Sequence, residues 1–281
     1  MKTKRLPYLM LMVVALSGAA SATQIMPPDF TRALEMGKDA YSGKPAAMDR
    51  LKSAAESGTV AAGSVLGALY GIGSPTLRKN GAEAAKWFRK AAEQGDSQAR
   101  FGLGVMYANG NAVPQDFAAA MKYFHLAAEQ GDCAPCFYLG LFYENGLGTA
   151  KNYAEAVKWY TRASAAGPAG LRFGMAVGQG KEHPADDNSE VISNFSMVPA
   201  QAQVGAEYNL GMLYWNGRGV TADLVGAYKW FILAAAHGNH LANYNLRLLA
   251  RKMSDAQIAS ALAQAAAWTR EHAPQRTLAS R

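Results

Sequence analysis

Residues 99–132, ARFGLGVMYANGNAVPQDFAAAMKYFHLAAEQGD, decide the fold of this chain. In the first half, apolar residues recur every four positions around Leu103, which is the spacing of one helical face. In the second half, the aromatic pair Tyr123-Phe124 and the alanine pair that follows it share a second helical stripe. Asn109-Gly110 supplies a C-terminal cap, and Gly131-Asp132 ends the second helix and offers an Asp cap to the next one. The stretch therefore predicts a hairpin of two helices, A and B.

The same pattern recurs along the chain with a period of about 36 residues. The Leu-Gly of helix A stands at Leu66-Gly67, Leu103-Gly104, Leu139-Gly140 and Leu210-Gly211, with a weaker copy at Phe173-Gly174. One such hairpin cannot bury its aromatic stripe alone, so successive hairpins must stack on one another. Trp87, Trp159 and Trp230 recur with the repeat and are expected in the core.

The repeat predicts an all-α fold, a right-handed α-solenoid of about six helix-turn-helix repeats over residues 30–250. The hairpins at residues 30–58 and 170–205 are degenerate copies. A polar helix at residues 251–272 is expected to cap the open end of the stack, and residues 273–281 to form a flexible tail.

These motifs resemble the Sel-1-like repeat, a relative of the tetratricopeptide repeat. Residues 99–132 meet the family pattern almost in full, including Val113-Pro114-Gln115-Asp116, and the likeness covers nearly all of residues 30–250. The ending around Met253 and Trp268 also resembles that of many bacterial members. The resemblance implies a protein-binding scaffold, since members of the family are adaptors, and it implies no reaction.

Residues 1–22 have the three-part pattern of a cleaved secretory signal. Lys2, Lys4 and Arg5 precede an apolar run over residues 9–16, and small residues end at Ala22. We expect cleavage after Ala22 and a periplasmic or secreted protein without stable membrane insertion. The net charge of +7 includes the three leader cations and does not call for nucleic acid, because the other lysines are scattered along helices.

Cys133 and Cys136 are the only residues with a chemical signature, since their spacing is that of thiol-disulfide exchange motifs. At a helix start these positions are within reach of a disulfide, and an oxidising periplasm favours a local staple. Catalytic redox work and a pair left reduced are the alternatives. Exchange enzymes need a βαβ context, and the sequence predicts no strand.

Other catalytic motifs are missing from the sequence, including nucleophile elbows, zinc-protease helices and phosphate loops. We therefore expect no enzymatic activity, no cofactor and no metal. The longer polar loop at residues 180–199 is expected to be an ordinary mobile loop, with partner or metal binding as alternatives.

A binding groove is expected on the concave side of the stack, which helix A lines in tetratricopeptide-like proteins. The residues immediately before Leu-Gly, or its equivalent, are the candidates: Gly102, Tyr138, Arg172, Asn209 and Asn245. Arg172, Asn209 and Asn245 would grip a peptide backbone or a carboxylate, and a solvated polar ladder is the alternative.

Trp215 is a further candidate for the groove. It occupies the place that Ala108 and Glu144 hold in sister repeats, so packing does not require a large side chain there. We expect it to be an exposed anchor for a partner.

Three functions remain open at this stage. The first is an exported, non-catalytic scaffold of the bacterial cell envelope that binds a partner protein or peptide in the concave groove. The second is a redox protein using Cys133 and Cys136. The third is a cell-wall or polysaccharide binder using aromatic residues such as Trp215 and Tyr138.

Overall fold

The structure is a computed structural model that describes residues 28–131, 134–165 and 199–272. Over these residues the chain forms twelve α-helices and no β-strand. Several predicted features lie outside the described residues: the leader, Cys133, Arg172, most of the 170–205 hairpin and of the 180–199 loop, and the tail at 273–281.

The first six helices form three hairpins. They are α1 (Pro28–Tyr41), α2 (Ala47–Glu56), α3 (Val60–Ile72), α4 (Gly81–Glu93), α5 (Ser97–Asn109) and α6 (Phe117–Ala128). Odd-numbered helices are A helices and even-numbered helices are B helices. The hairpin α1–α2 corresponds to the degenerate repeat at residues 30–58.

The remaining helices continue the series. They are α7 (Ala134–Asn145), α8 (Tyr153–Ala165), α9 (Pro199–Asn216), α10 (Leu224–Ala236), α11 (His240–Ala250) and α12 (Asp255–Glu271). The all-α solenoid predicted from the sequence is confirmed.

Local capping chemistry sets the helix ends, as the sequence predicts. Asp96 precedes α5, and its carboxylate accepts a 2.7 Å hydrogen bond from the Ala99 N–H and a 2.8 Å bond from Ser64 Oγ of α3. Gly110 ends α5 with φ of 66°, a left-handed conformation that glycine adopts without a Cβ penalty. Three A helices end at the Asn of an Asn-Gly pair, at Asn109 as predicted and also at Asn145 and Asn216.

Each full hairpin closes by placing a B-helix ring on an A-helix glycine. The four pairs are Phe88 on Gly67, Phe124 on Gly104, Tyr160 on Gly140 and Phe231 on Gly211. All four rings are fully buried. Trp87 and Trp230 are buried as predicted, whereas Trp159 is only half-buried at the edge of the core.

Successive hairpins meet at joints, in which the B helix of one hairpin packs on the A helix of the next. These joints are α2 on α3, α4 on α5, α6 on α7, α8 on α9 and α10 on α11. The stack passes directly from α8 to α9, and residues 199–205 form the first turns of α9.

The last helix, α12, packs mainly against α10. Trp268 meets Trp230 edge-on, with ring centroids 4.9 Å apart, and Lys229 Nζ lies within 4.5 Å of both ring centroids. This contact fixes the C-terminal helix against α10.

Candidate functional site

The described residues before Leu-Gly, which the sequence predicted to line a groove, face the preceding hairpin instead, and Arg172 lies outside the described residues. Tyr138 is the clearest case, because only 1% of it is exposed. Its ring lies 5.3 Å from Phe101 and 5.2 Å from Phe124, centroid to centroid. Tyr138 is a packing residue of the α6–α7 joint, and the prediction that it lines a surface groove is corrected.

Asn245 shows the same placement at the α10–α11 joint. It is 8% exposed, and its Nδ2 donates to Tyr208 Oη at 3.4 Å and lies 3.6 Å from Met212 Sδ. Its amide therefore satisfies groups of α9 and is not presented to a partner. The prediction of Asn245 as a groove residue is corrected on the same physical ground.

Asn209 is half-buried at the α8–α9 joint. Its Nδ2 donates a 2.9 Å hydrogen bond to the Tyr160 hydroxyl, which in turn donates a 2.6 Å bond to Glu144 Oε2. Asn209 thus supplies the hydrogen bond that the Tyr160 Oη accepts. It is a joint residue with a partly exposed side chain.

Trp215, like Asn209, keeps part of its side chain exposed. It lies on the last turn of α9 and contacts Phe231 edge-on at 6.0 Å between ring centroids. The side chain is half-buried. It therefore holds a fixed orientation while part of the indole stays accessible.

Glu144 occupies the position on α7 that corresponds to Trp215 on α9, four residues after the repeat glycine. Burial raises the pKa of its carboxyl group, and this effect is opposed by the hydrogen bond from Tyr160 and by the positive charges of Arg218 and Lys151. Burial also raises the pKa of Tyr160 well above its usual range. Glu144 is held by a tyrosine that stays protonated and donates to it.

Arg218 adds an exposed cation at the same edge of the stack. It lies in the turn after α9, and its guanidinium sits 5.6 Å from the Tyr153 ring centroid. We call Glu144, Asn209, Trp215 and Arg218 the α7–α9 surface. It presents one acid, one amide, one aromatic ring and one cation on two successive A helices and the turn that follows.

Cys136 is fully buried in the core around α7. A thiol without solvent exposure is poorly placed to attack a disulfide of another protein. Its pairing with Cys133 stays a prediction, because Cys133 lies outside the described residues.

A second polar cluster at the α8–α9 joint surrounds Glu207, a carboxylate with no exposed surface. Gln203 Nε2 and Ser164 Oγ lie 3.0 Å and 3.3 Å from Oε1, and His237 Nδ1 lies 2.8 Å from Oε2. The cluster connects α8, α9 and the end of α10. A buried carboxylate is stable only with such partners.

We predict that this cluster makes stability depend on pH. The hydrogen bond to Glu207 raises the pKa of His237 above its ordinary value, against the opposing effect of partial burial. Its stabilising contribution is complete below the unfolded-state pKa of about 6.5 and is lost as pH rises through the higher folded-state pKa. Thermal melts of the parent should therefore show falling stability above about pH 6.5.

Two variants of His237 test this dependence. His237→Gln keeps a donor, as Gln130 does at the equivalent position, and should remove the pH dependence above about pH 6.5. His237→Ala leaves Glu207 short of one partner and should cost about 1–2 kcal/mol at pH 6. A His237→Gln variant with the parent's pH profile would contradict the assignment.

The Glu207 cluster was not predicted from the sequence, although a signal was present. Four residues before the repeat glycine stand Gly63, Arg100, Cys136 and Glu207, so one joint carries an acid where another carries a cation. A change of charge at this position between repeats indicates that the joint formed there has polar contacts of its own. The hydrogen-bond partners of Glu207, Ser164 and His237, are 43 and 30 residues away in sequence, and only the stacking of hairpins brings them together.

The described residues contain no group of three His, Cys, Asp or Glu side chains placed to hold a metal ion. No helix in the described ranges is both long and apolar enough to cross a membrane.

Comparison with known proteins gives one family. The Sel1 repeat family model matches residues 65–96, 97–132, 136–168 and 204–239. These ranges correspond to the hairpins α3–α4, α5–α6, α7–α8 and α9–α10. No curated protein matches the sequence of this chain.

The solved structures that are similar to this one include the following two. A Sel1 repeat protein from Oxalobacter formigenes is 28% identical with a TM-score of 0.60, over 86% of this chain and 84% of that protein. The protein c5321 of uropathogenic Escherichia coli, described as a protective antigen with an SLR fold, is 26% identical with a TM-score of 0.46. That match covers 94% of this chain and 56% of the E. coli protein.

Proposed function

Because this chain is a Sel1-repeat protein, and such repeats are in general scaffolds for protein–protein interaction, we propose that it is a non-catalytic adaptor of the bacterial cell envelope. It acts in the periplasm or outside the cell after cleavage following Ala22, and it binds a partner protein through the α7–α9 surface. The leader pattern of residues 1–22 supports the compartment.

We choose the α7–α9 surface as the binding site because Trp215 is half-buried there. A partly buried tryptophan loses little conformational freedom when a partner covers it, and such residues often dominate binding energy. The surrounding charges, Glu144 and Arg218, differ in sign, which favours a protein partner that presents both an acidic and a basic group.

The experiment is capture from living cells by cross-linking of the tagged full chain. We compare the parent with a Trp215→Ala, Arg218→Glu double variant. The matched control is Leu262→Ala with Lys122→Glu, which removes one exposed apolar side chain and one exposed cation elsewhere. All three forms are first shown to melt alike.

We expect one defined partner with the parent and the control, reduced about tenfold or more in the double variant. Equal capture by all three forms would show that the α7–α9 surface is not the site. Capture of nothing by the parent would contradict the adaptor function itself. Fractionation with mass measurement of the mature protein tests the compartment, and an N-terminus other than Thr23 would contradict the cleavage site.

A further inference from the structure

The last A helix of the stack, α11, has an apolar stripe that the described residues leave uncovered. Leu241 and Tyr244 are each 63% exposed, and Leu248 is half-buried. At 100° per residue these three side chains fall within an arc of about 60°. Single exposed apolar residues are ordinary, but an aligned stripe on one helix indicates an interaction surface.

The equivalent positions of earlier repeats show what residues of this stripe contact when another hairpin follows. Tyr244 is equivalent to Phe101 of α5 and Phe137 of α7, which stand three residues before the repeat glycine as Tyr244 stands three before Arg247. Both phenylalanines are buried, and helix A of the next hairpin covers them: Tyr138 packs on Phe101, and Gly205 lies against Phe137. The α11 stripe is therefore the stacking face of a hairpin that has no described successor.

The C-terminal helix does not fill this role. Its buried side chains, Ala261 and Ala265, and its Trp268 point toward the core around α10. Residues 273–281 are unsuited by composition, because Leu278 is their only large apolar residue and they carry two arginines. Over the described residues, nothing of this chain covers the stacking face of α11.

The positive charge beside the apolar stripe indicates which kind of molecule would bind this face. His240, Arg247 and Arg251 are exposed, fall within about 40° of each other on the helical wheel, and adjoin the stripe on one side. The helix α11 contains no acidic residue. Two copies pairing through this face would bring like charges together, which is unfavourable.

We propose that the α11 face binds an amphipathic helix of another protein, with an apolar stripe on one side and acidic residues beside it. The stripe stacks on Leu241, Tyr244 and Leu248 as the next A helix stacks on Phe101 within the chain. The acidic residues meet Arg247 and Arg251. This rests on the proposed function only in that the occupant is a protein, and it assigns a surface separate from the α7–α9 surface.

The probe is a designed, fluorescently labelled helical peptide of about 15 residues, with leucine and phenylalanine at i, i+3 and i+7 and glutamate beside them. A second peptide carries lysine in place of every glutamate. Binding to the purified full chain is measured by fluorescence anisotropy. The variants are Tyr244→Glu and Arg247→Glu, with Ile72→Ser as the control, because Ile72 is an exposed apolar residue on α3.

We expect the acidic peptide to bind about tenfold or more tightly than the basic one. Tyr244→Glu should weaken it about tenfold, Arg247→Glu should reverse the preference between the peptides, and Ile72→Ser should change neither. Thermal melts of each variant establish that it folds.

Three results would overturn the proposal: no binding of either peptide, equal binding of both, or binding unaffected by Tyr244→Glu. Self-association of the parent that Tyr244→Glu abolishes, measured by light scattering, would also overturn it in favour of a second copy. Failure here leaves the cellular capture through Trp215 and Arg218 untouched, so the two proposals fail separately.

Discussion

Replacing Gly219 with alanine is expected to lower the free energy of unfolding by about 3 kcal/mol, the largest effect of any methyl addition considered for this protein. Gly219 has φ of 74°, and an added Cβ would overlap the Tyr153 carbonyl group and the Ala154 nitrogen at the start of α8. Backbone atoms at a helix start cannot move aside as a side-chain tip can. A Cβ added at Gly148 would make the equivalent approach to Phe117 of α6, at 2.6 Å from its carbonyl carbon.

Gly238 is the matched control for Gly219. Its φ of 96° is also positive, but an added Cβ would meet nothing within 4 Å. Gly238→Ala should therefore cost about 1 kcal/mol from backbone strain alone. Chemical denaturation of both variants measures the difference, and equal losses would contradict the close contact between the turn after α9 and the start of α8.

Replacing Gly104 with alanine is expected to lower the free energy of unfolding by about 2 kcal/mol, although alanine is the better helix former. An added Cβ would stand 2.5 Å from Cε1 of the fully buried Phe124 ring. The ring has no free space to enter, so the hairpin α5–α6 must separate. Thermal and chemical denaturation measure the loss.

Gly63 of α3 provides the opposite case. An added Cβ there would make an ordinary 3.4 Å contact with the Ala91 Cβ. Gly63→Ala should leave stability unchanged or raise it by about 0.5 kcal/mol, because alanine loses less conformational entropy in a helix. Destabilisation of similar size at both positions would mean that helix propensity, and not ring-on-glycine packing, controls these sites.

The features that the sequence predicted correctly depend on local interactions. Asn109-Gly110 ends helix α5, and Asp96 caps the start of the same helix. Each motif acts only on neighbours within one helical turn, so it does not depend on the rest of the fold. The contact of Phe124 with Gly104 was also foreseeable, since both residues belong to one hairpin and recur with the period.

The candidate site depends on how hairpins meet, and this was not readable from spacing. The spacing of the repeat shows that Tyr138 and Asn245 occupy equivalent positions on one face of helix A. It does not show which part of the molecule that face contacts. In the structure it meets the preceding hairpin, so these two predicted groove residues are joint residues. The exposure of Tyr244 likewise follows from the end of the stack, because the equivalent Phe101 and Phe137 are buried under the next A helix.

The most direct test of the central claim, that this chain binds a partner protein through the α7–α9 surface, is photo-crosslinking in living cells. A light-activated amino acid is placed at Asn216, the exposed neighbour of Trp215, and separately at Lys122, exposed on α6. The account predicts one defined adduct from position 216 that disappears with Trp215→Ala, and none from position 122. No adduct at position 216, or the same adducts from both positions, would contradict it.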